Sequence, residues 1–502
     1  MSLTKQVLLE IKKQKRRYHF LIFSGIILME MLFVFGNYSG EKGIPDGWML
    51  LFYNMPIMNS LFFPVLISTF ASRLMDMEHK GDMLKCLYTF TSPGSIFTTK
   101  IIYGLISLCM LVAMQCLSIL FLAKILDFPL SFSAKYMLFY GINTFMSSSM
   151  LFFLHLMLAY VFRNQAVSIS IGLIGSFIGL FSAFLPTTVF QKLLPWSTFI
   201  NSLFIGMDWN PETREIKWLL LDFNYDSIIY SVLWIAAFII LAIILLRKSN
   251  IEENNFKKVT QNINTKVCIH SRPIEFMKLK GSPSWFAFII IPILSAVIGT
   301  INYLGNIEIL TNGWFSLWTQ HTLFLCYFFM PVIIAVFTGC IWQVEHQGTN
   351  MNVLLTHATP TRIILSKYAA SIFITTLSLI WVVALYIISG TFCKLKGSLP
   401  KDLFIWLLFG MIAAYAICAV QLFLSLIIRN FVLPVILAFI GGILGLACIA
   451  HDTPYVLPYS LFSLAMTENN QNLNTFSFLI SSVIFIGIFI IMSIFYLKHT
   501  DA

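Results

Sequence analysis

Long apolar stretches alternate with short polar connections from one end of the chain to the other. At about 20 apolar residues per membrane crossing, the pattern predicts twelve spans. They lie near 19–36, 50–72, 101–124, 136–162, 165–186, 224–246, 285–303, 318–341, 368–391, 403–428, 431–450 and 475–497. Helix is the expected form, because a segment in lipid has to satisfy its own backbone polar groups. A barrel would show alternating segments of about ten residues instead. The expected fold is an all-α polytopic membrane protein.

The polar connections set the orientation. With the N-terminus inside, the inner segments hold 23 of the 32 basic residues and the outer loops hold 9. By the positive-inside rule, both termini are expected in the cytoplasm and the chain in the plasma membrane. The basic run from Lys12 to Arg17, followed directly by the first apolar stretch, is expected to act as a retained signal anchor.

The pattern repeats. Glu78-His79-x-Gly81 recurs as Glu345-His346-x-Gly348, and positions 78–100 and 345–367 agree at eight of 23 places without gaps. Pro64 matches Pro331, Arg163-Asn164 matches Arg429-Asn430, and Leu194-Pro195-Trp196-Ser197 matches Leu457-Pro458-Tyr459-Ser460. An internal repeat of this size divides the chain into residues 1–246, a polar linker 247–283, and residues 284–502. Six spans per half give both halves the same orientation, a parallel repeat about an axis along the membrane normal.

Composition narrows the function. The chain is 58% hydrophobic and 11% charged, far from the balance of a soluble enzyme. The net charge of +10 follows from the placement of charge between spans, so it gives no reason to expect nucleic acid. Nine cysteines are scattered without a CxxC or a Cys/His metal spacing. There is no HExxH and no nucleophile elbow, so neither a metal nor a catalytic residue is expected. A phosphate-cradling loop requires Gly-Lys, and that dipeptide does not occur. No cofactor is expected to bind directly, and any ATP would be handled by another polypeptide.

The segments 73–100 and 342–367 follow the second span of each half. Each runs from a charged turn through Leu- and Met-containing residues to Ser/Thr-Pro and then a lysine. This suits a short amphipathic surface helix interrupted at Pro93 or Pro360. One reading is an interfacial loop with topogenic charge. The other is an element that docks a cytoplasmic partner, its glutamate pairing with a basic or amide group there.

In this arrangement the chain resembles the type-2 ABC exporter permeases, especially the bacteriocin- and lantibiotic-immunity permeases. Their pattern is Glu, Gly-Thr, Leu-rich residues, Pro-x-Arg, then Lys. The second half matches through Glu345, Gly348-Thr349, Leu354-Leu355, Pro360-Thr361-Arg362 and Lys367. The first half keeps Glu78, Gly81, Pro93 and Lys100, with Asp82 in place of the threonine and Ser95 in place of the arginine. The resemblance implies an ATP-driven export permease of two six-span units engaging two copies of a separate ATPase at these segments. Its cargo would be an amphipathic peptide, an antimicrobial or a lipid-like compound. The resemblance also implies a connecting helix at the N-terminus, where Leu3, Val7, Leu8 and Ile11 share one face. An anchor to membrane lipids explains that helix equally. Before the last span of each half, it implies re-entrant helices within 187–223 and 451–474; the alternative there is an ordinary folded loop.

Glu30 is the one acidic residue expected deep in a span, about 16 Å from His19 at 1.5 Å per residue. Its repeat counterpart is Gly299. A structural role and a part in substrate or ion passage both remain open. The competing classes are a secondary transporter driven by an ion gradient, which should show several intramembrane charges, and an intramembrane enzyme, which needs clustered catalytic groups.

Overall fold

The computed structural model describes residues 3–15, 19–37, 47–79, 87, 91–128, 134–162, 164–182, 192–209, 216–256, 284–346, 350–429, 431–466 and 474–499. Gly81, Gly348 and Thr349 lie outside the described residues, as do 257–283 of the linker. The chain forms two compact units, Met1–Val267 and Cys268–Ala502.

In the first unit, helix α1 (Leu3–Gln14) precedes five long helices: α2 (His19–Asn37), α3 (Gly47–His79), α4 (Pro93–Ile125), α5 (Ala134–Val161) and α6 (Gln165–Phe181). A single turn, α7 (Thr198–Asn201), leads to strands β1 (Ile205–Trp209) and β2 (Ile216–Leu220), and α8 (Asp226–Phe256) ends the unit. The second unit holds α9 (Ser284–Gly305), then α10 (Trp314–Gln343), which contains a π-helical turn at Leu325–Phe329. The short α11 (Asn350–His357) follows, then α12 (Pro360–Phe392), α13 (Leu403–Ile427), α14 (Val432–Ala450), α15 (Pro458–Met466) and α16 (Thr475–His499).

Among the described residues, eleven helices are long and apolar enough to cross a membrane. Of the twelfth expected span, 165–186, the described residues form the 17-residue helix α6. At 1.5 Å per residue it reaches about 26 Å, short of the roughly 30 Å hydrocarbon thickness. The helices α3, α4 and α12 have 33 residues each. At about 50 Å they exceed that thickness, so their ends stand beyond it.

Each unit wraps around its second-span helix. In α3, Leu51, Phe52, Met55, Phe63, Leu66, Ile67, Phe70 and Leu74 are all buried, and α5 and α6 pack on it. In α10 the buried run extends from Phe329 to Trp342, against α13 and α14. The last helix of each unit does the opposite: α8 bares Leu233 and Ile240, and α16 bares Phe476, Val483 and Ile491. Apolar side chains left bare along a whole helix are what a lipid environment accommodates.

The segments preceding these last helices depart from simple loops. Pro458–Met466 is a helix with every residue buried, so the second unit has a short packed helix there. The first unit has one turn, Thr198–Asn201, followed by an antiparallel hairpin that pairs Ile205 with Leu220 and Met207 with Trp218. The hairpin was not expected. It packs on the end of α3 through Phe204, Ile205 and Trp218. The repeated Leu-Pro-aromatic-Ser motif has a packing reason. A Cβ at Gly175 would meet the Trp196 indole at 2.0 Å, and one at Gly441 would meet the Tyr459 ring at 2.4 Å. In both units an aromatic ring therefore lies directly on a glycine of α6 or α14.

Candidate functional site

The repeated segments fold from one local rule. Ser92 and Thr359 have the same extended backbone (φ −69°, ψ 147°), and their hydroxyls accept from the N–H groups of Ser95 and Arg362. Proline follows each at the first helical position, where its missing N–H costs nothing. Pro93 and Pro360 therefore open α4 and α12, about two turns before the span starts expected at 101 and 368. Lys100 and Lys367 consequently sit inside helices rather than at their ends.

That shift buries both lysines. Lys100 is 1% exposed and Lys367 fully buried, and each faces the glutamate 22 residues before it. The Nζ–Oε1 distances are 3.1 Å to Glu78 and 2.9 Å to Glu345. Each ammonium also donates to a carbonyl of the preceding long helix, Leu74 at 2.8 Å and Ile341 at 3.5 Å. The adjacent histidine completes the pattern. His79 Nε2 is 2.8 Å from the Ala159 carbonyl and His346 Nε2 is 2.9 Å from that of Ser425. The dipeptide thus reaches two neighbours at once. The glutamate holds α3 or α10 to α4 or α12, and the histidine holds it to α5 or α13. We call this arrangement the clamp.

Both carboxylates are buried, Glu78 at 2% and Glu345 at 4% exposure. This corrects the expectation that they face a partner: they are turned inward onto lysines of their own unit. Two ions withdrawn from water attract strongly only when well paired, and removing one partner of such a pair typically costs about 3–5 kcal/mol. The clamp therefore fixes where the intervening segment leaves and re-enters the helix bundle.

The two clamps are completed differently. In the first, Lys13 of α1 approaches Glu78 at 3.0 Å and Glu10 of α1 approaches Lys100 at 3.2 Å. Gln6 accepts from Ser95 at 2.7 Å and from Thr99 at 3.1 Å. Ser95, which stands where the exporter pattern has arginine, thus bonds α1. This polar stripe of Gln6, Glu10, Lys13 and Gln14 holds α1 to the bundle, while Leu8 and Ile11 are left exposed at 59% and 46%. Its spacing of about one turn was visible in the sequence, although only the apolar face was read there. In the second clamp, Lys367 Nζ lies 4.7 Å from the centre of the Trp342 ring. Arg362 is exposed.

Helix α11 packs Met351, Leu354 and Leu355 against the cluster of Trp342, Ile363, Ile364 and Leu426. Asn352 and Val353 are exposed on its other side. The leucines of the repeated pattern therefore anchor the helix, and Asn352 and Val353 are left on its exposed side.

Glu30 is fully buried in α2. Its Oε2 accepts from Gln115 Nε2 at 2.9 Å, and Gln115 in turn bonds Asn59, whose Nδ2 donates to the Tyr140 hydroxyl at 3.0 Å. Its Oε1 has no partner among the described residues.

The family model described as ABC-2 family transporter protein matches residues 7–179 and again 273–445. The chain belongs to the ABC-2 transporter family. The double match makes it a permease of two tandem units, a multi-pass membrane component of the kind that works with a cytoplasmic ABC ATPase and is not itself the enzyme. No curated protein and no solved structure matches it.

Proposed function

We propose that this chain is the whole permease of an ATP-driven exporter, both halves in one polypeptide, with two copies of a separate ATPase engaging segments 78–100 and 345–367 in the cytoplasm. ATP would act only through that partner. The observation that carries this reading is the twice-built clamp. A buried Glu–Lys pair at the same spacing in both units holds two segments in a fixed setting, and in the second unit a helix anchored by its leucines and exposed at Val353 lies between them in sequence. Gly81, Gly348 and Thr349 belong to these segments by sequence.

In this reading Glu78, Glu345, Lys100 and Lys367 position the docking segments, Pro93 and Pro360 start the helices behind them, and Val353 and Arg362 meet the ATPase. The 23-to-9 charge split supports placing both termini on the same cytoplasmic side. The resemblance to immunity permeases supports an amphipathic or antimicrobial peptide, or a lipid-like compound, as cargo.

The test is capture of the ATPase on the purified permease, with vanadate-sensitive export in vesicles. Val353→Asp should lose capture while the helices stay folded by circular dichroism. Unchanged capture in a Val353→Asp/Arg362→Glu variant would remove α11 from the contact. Export that persists with vanadate and stops with a protonophore would move the chain to ion-driven transport.

A further inference from the structure

The third helix of the transmembrane series in each unit closes with the same backbone turn. After α4, Leu126 donates to the Leu122 carbonyl at 2.9 Å and Phe128 to that of Ala123 at 2.9 Å. After α12, Cys393 donates to Ser389 at 2.9 Å and Leu395 to Gly390 at 3.1 Å. The residue in the left-handed conformation is Asp127 in the first turn (φ 53°) and Lys394 in the second (φ 54°). Glycine, asparagine and aspartate suit that position. Lysine brings no backbone advantage there, and it reverses the charge. Lys396 and Lys401 follow, so three of the nine basic residues assigned to the outer loops fall within 394–402. Positive charge on the outer side runs against the topogenic bias.

These lysines border a pocket. A recess of about 560 Å³ is formed by Thr311, Asn312, Trp314, Lys396, Lys401 and Asp402, with further loop residues around them. Two lysines and one aspartate are among its lining residues. Phe392 and Phe404, each 75% exposed, flank the loop at the adjoining helix ends. Bare aromatic rings beside lysines are the composition of the membrane–water boundary, where a lipid phosphate sits directly above its acyl chains.

We propose that this recess binds the headgroup of an anionic phospholipid in the outer leaflet. Lys396 and Lys401 pair with its phosphate, Asn312 and Trp314 form the opposite wall, and its acyl chains lie over Phe392 and Phe404. The outer-leaflet part rests on the orientation proposed above. The two lysines are particular to the second unit, because the matching positions of the first carry Pro129 and Ala134.

The experiment uses the full chain in nanodiscs of phosphatidylcholine with a minor fraction of phosphatidylglycerol. Lipid retained on the protein is counted by native mass spectrometry. The Lys396→Gln/Lys401→Gln variant should retain about tenfold less phosphatidylglycerol, with phosphatidylcholine unchanged. Lys192→Gln, at a lysine already paired with Asp226 at 2.6 Å, should behave as wild type. Equal phosphatidylglycerol retention in the double variant and wild type overturns the site. Displacement of the lipid by millimolar inorganic phosphate would assign the pocket to soluble phosphate and overturn the lipid assignment. A disc exposes both leaflets, so this readout does not depend on sidedness. Impermeant thiol labelling of Ser398→Cys in intact cells tests sidedness separately. Labelling only after permeabilisation would overturn the outer-leaflet part.

Discussion

In the first unit Glu30, Asn59, Gln115 and Tyr140 form one buried hydrogen-bonded chain across four helices, whereas the second unit has Gly299, Cys326, Val382 and Trp406 at the matching positions. Aromatic rings fill that level of the second unit. Trp318 lies 5.0 Å from Tyr386 and stacks on Trp406 at 6.0 Å. Two of these rings bond to backbone, Tyr386 donating to the Trp314 carbonyl at 2.6 Å and Trp318 to that of Met466 at 2.8 Å, and the side-chain pair beside them is Thr300 with His321 at 3.0 Å. A Cβ at Gly299 would meet His321 Cα at 2.8 Å and the Gln320 carbonyl carbon at 2.9 Å. The backbones of α9 and α10 thus touch where a glutamate stands in the first unit. The clamps differ far less. Both units keep the Glu–Lys pair and the histidine-to-carbonyl bond, and only the outer partner changes, from α1 to Trp342. The repeat holds its geometry where a segment leaves the bundle and varies it at mid-helix. This is the distribution expected if the exit points serve one shared partner while the interiors serve the separate packing of each unit.

The largest expected effect comes from breaking the clamps. Lys100→Met strands Glu10 and Glu78 with the partly exposed Lys13, and Lys367→Met takes the ammonium from Glu345. Each should cost about 3–5 kcal/mol, the first more than the second because two carboxylates lose their shared cation. The measurement is the thermal denaturation midpoint in detergent. Glu345→Gln/Lys367→Met, which removes both charges, should recover most of the loss. A double variant as unstable as the single would show that packing of the lysine stem, and not the unpaired charge, is the cause.

Much of this was legible in the sequence, and the limits have physical reasons. Hydropathy gave the spans and the motif gave the repeat, because both are read along one dimension. The pairing of Glu78 with Lys100 was not read, although both residues were singled out. The 21 residues between them close only when α3 and α4 run antiparallel, and Ser92-Pro93 and Thr359-Pro360 look like breaks rather than caps. The stripe of Gln6, Glu10 and Lys13 was overshadowed by the apolar face of α1, which proves to be the exposed one. The hairpin's first strand does alternate, with Ile205, Met207 and Trp209 apolar around Gly206 and Asp208, but a five-residue run is too short to stand out beside the long apolar stretches.

A middle effect sharpens the contrast at mid-helix. Gly299→Ala forces a methyl against backbone and should cost about 1–3 kcal/mol. Glu30→Gln keeps an acceptor for Gln115 and should cost under about 1 kcal/mol. Both are read from the same denaturation midpoint, with folded yield as the control. A Glu30→Gln loss as large as that of Gly299→Ala would make the polar chain a major support of its unit. An unchanged fold with slowed export would place Glu30 in passage, and an unchanged fold with unchanged export would remove it from the mechanism.

The smallest effect distinguishes the two clamps by pH. His346 bonds the Ser425 carbonyl just beyond the end of α10. Burial pushes its imidazole below the ordinary value; the Ser425 carbonyl and Glu345 pull it back up, and Arg429 and Lys367 push it further down. The folded state therefore holds His346 neutral more firmly than the unfolded chain does. Stability from this group is fully present above the ordinary histidine value near 6.5 and is lost as pH falls through the lower folded value. Between pH 7.5 and 5 the wild type should lose more stability than His346→Gln, read as the difference between their denaturation midpoints. His79→Gln, tested in parallel, reports the first clamp, where the neighbouring charges are Lys13, Glu10, Glu78 and Lys100. An identical pH slope in wild type and His346→Gln would show that the second clamp is insensitive to acid. The bond to Ser425 would then hold with the imidazole in either charge state.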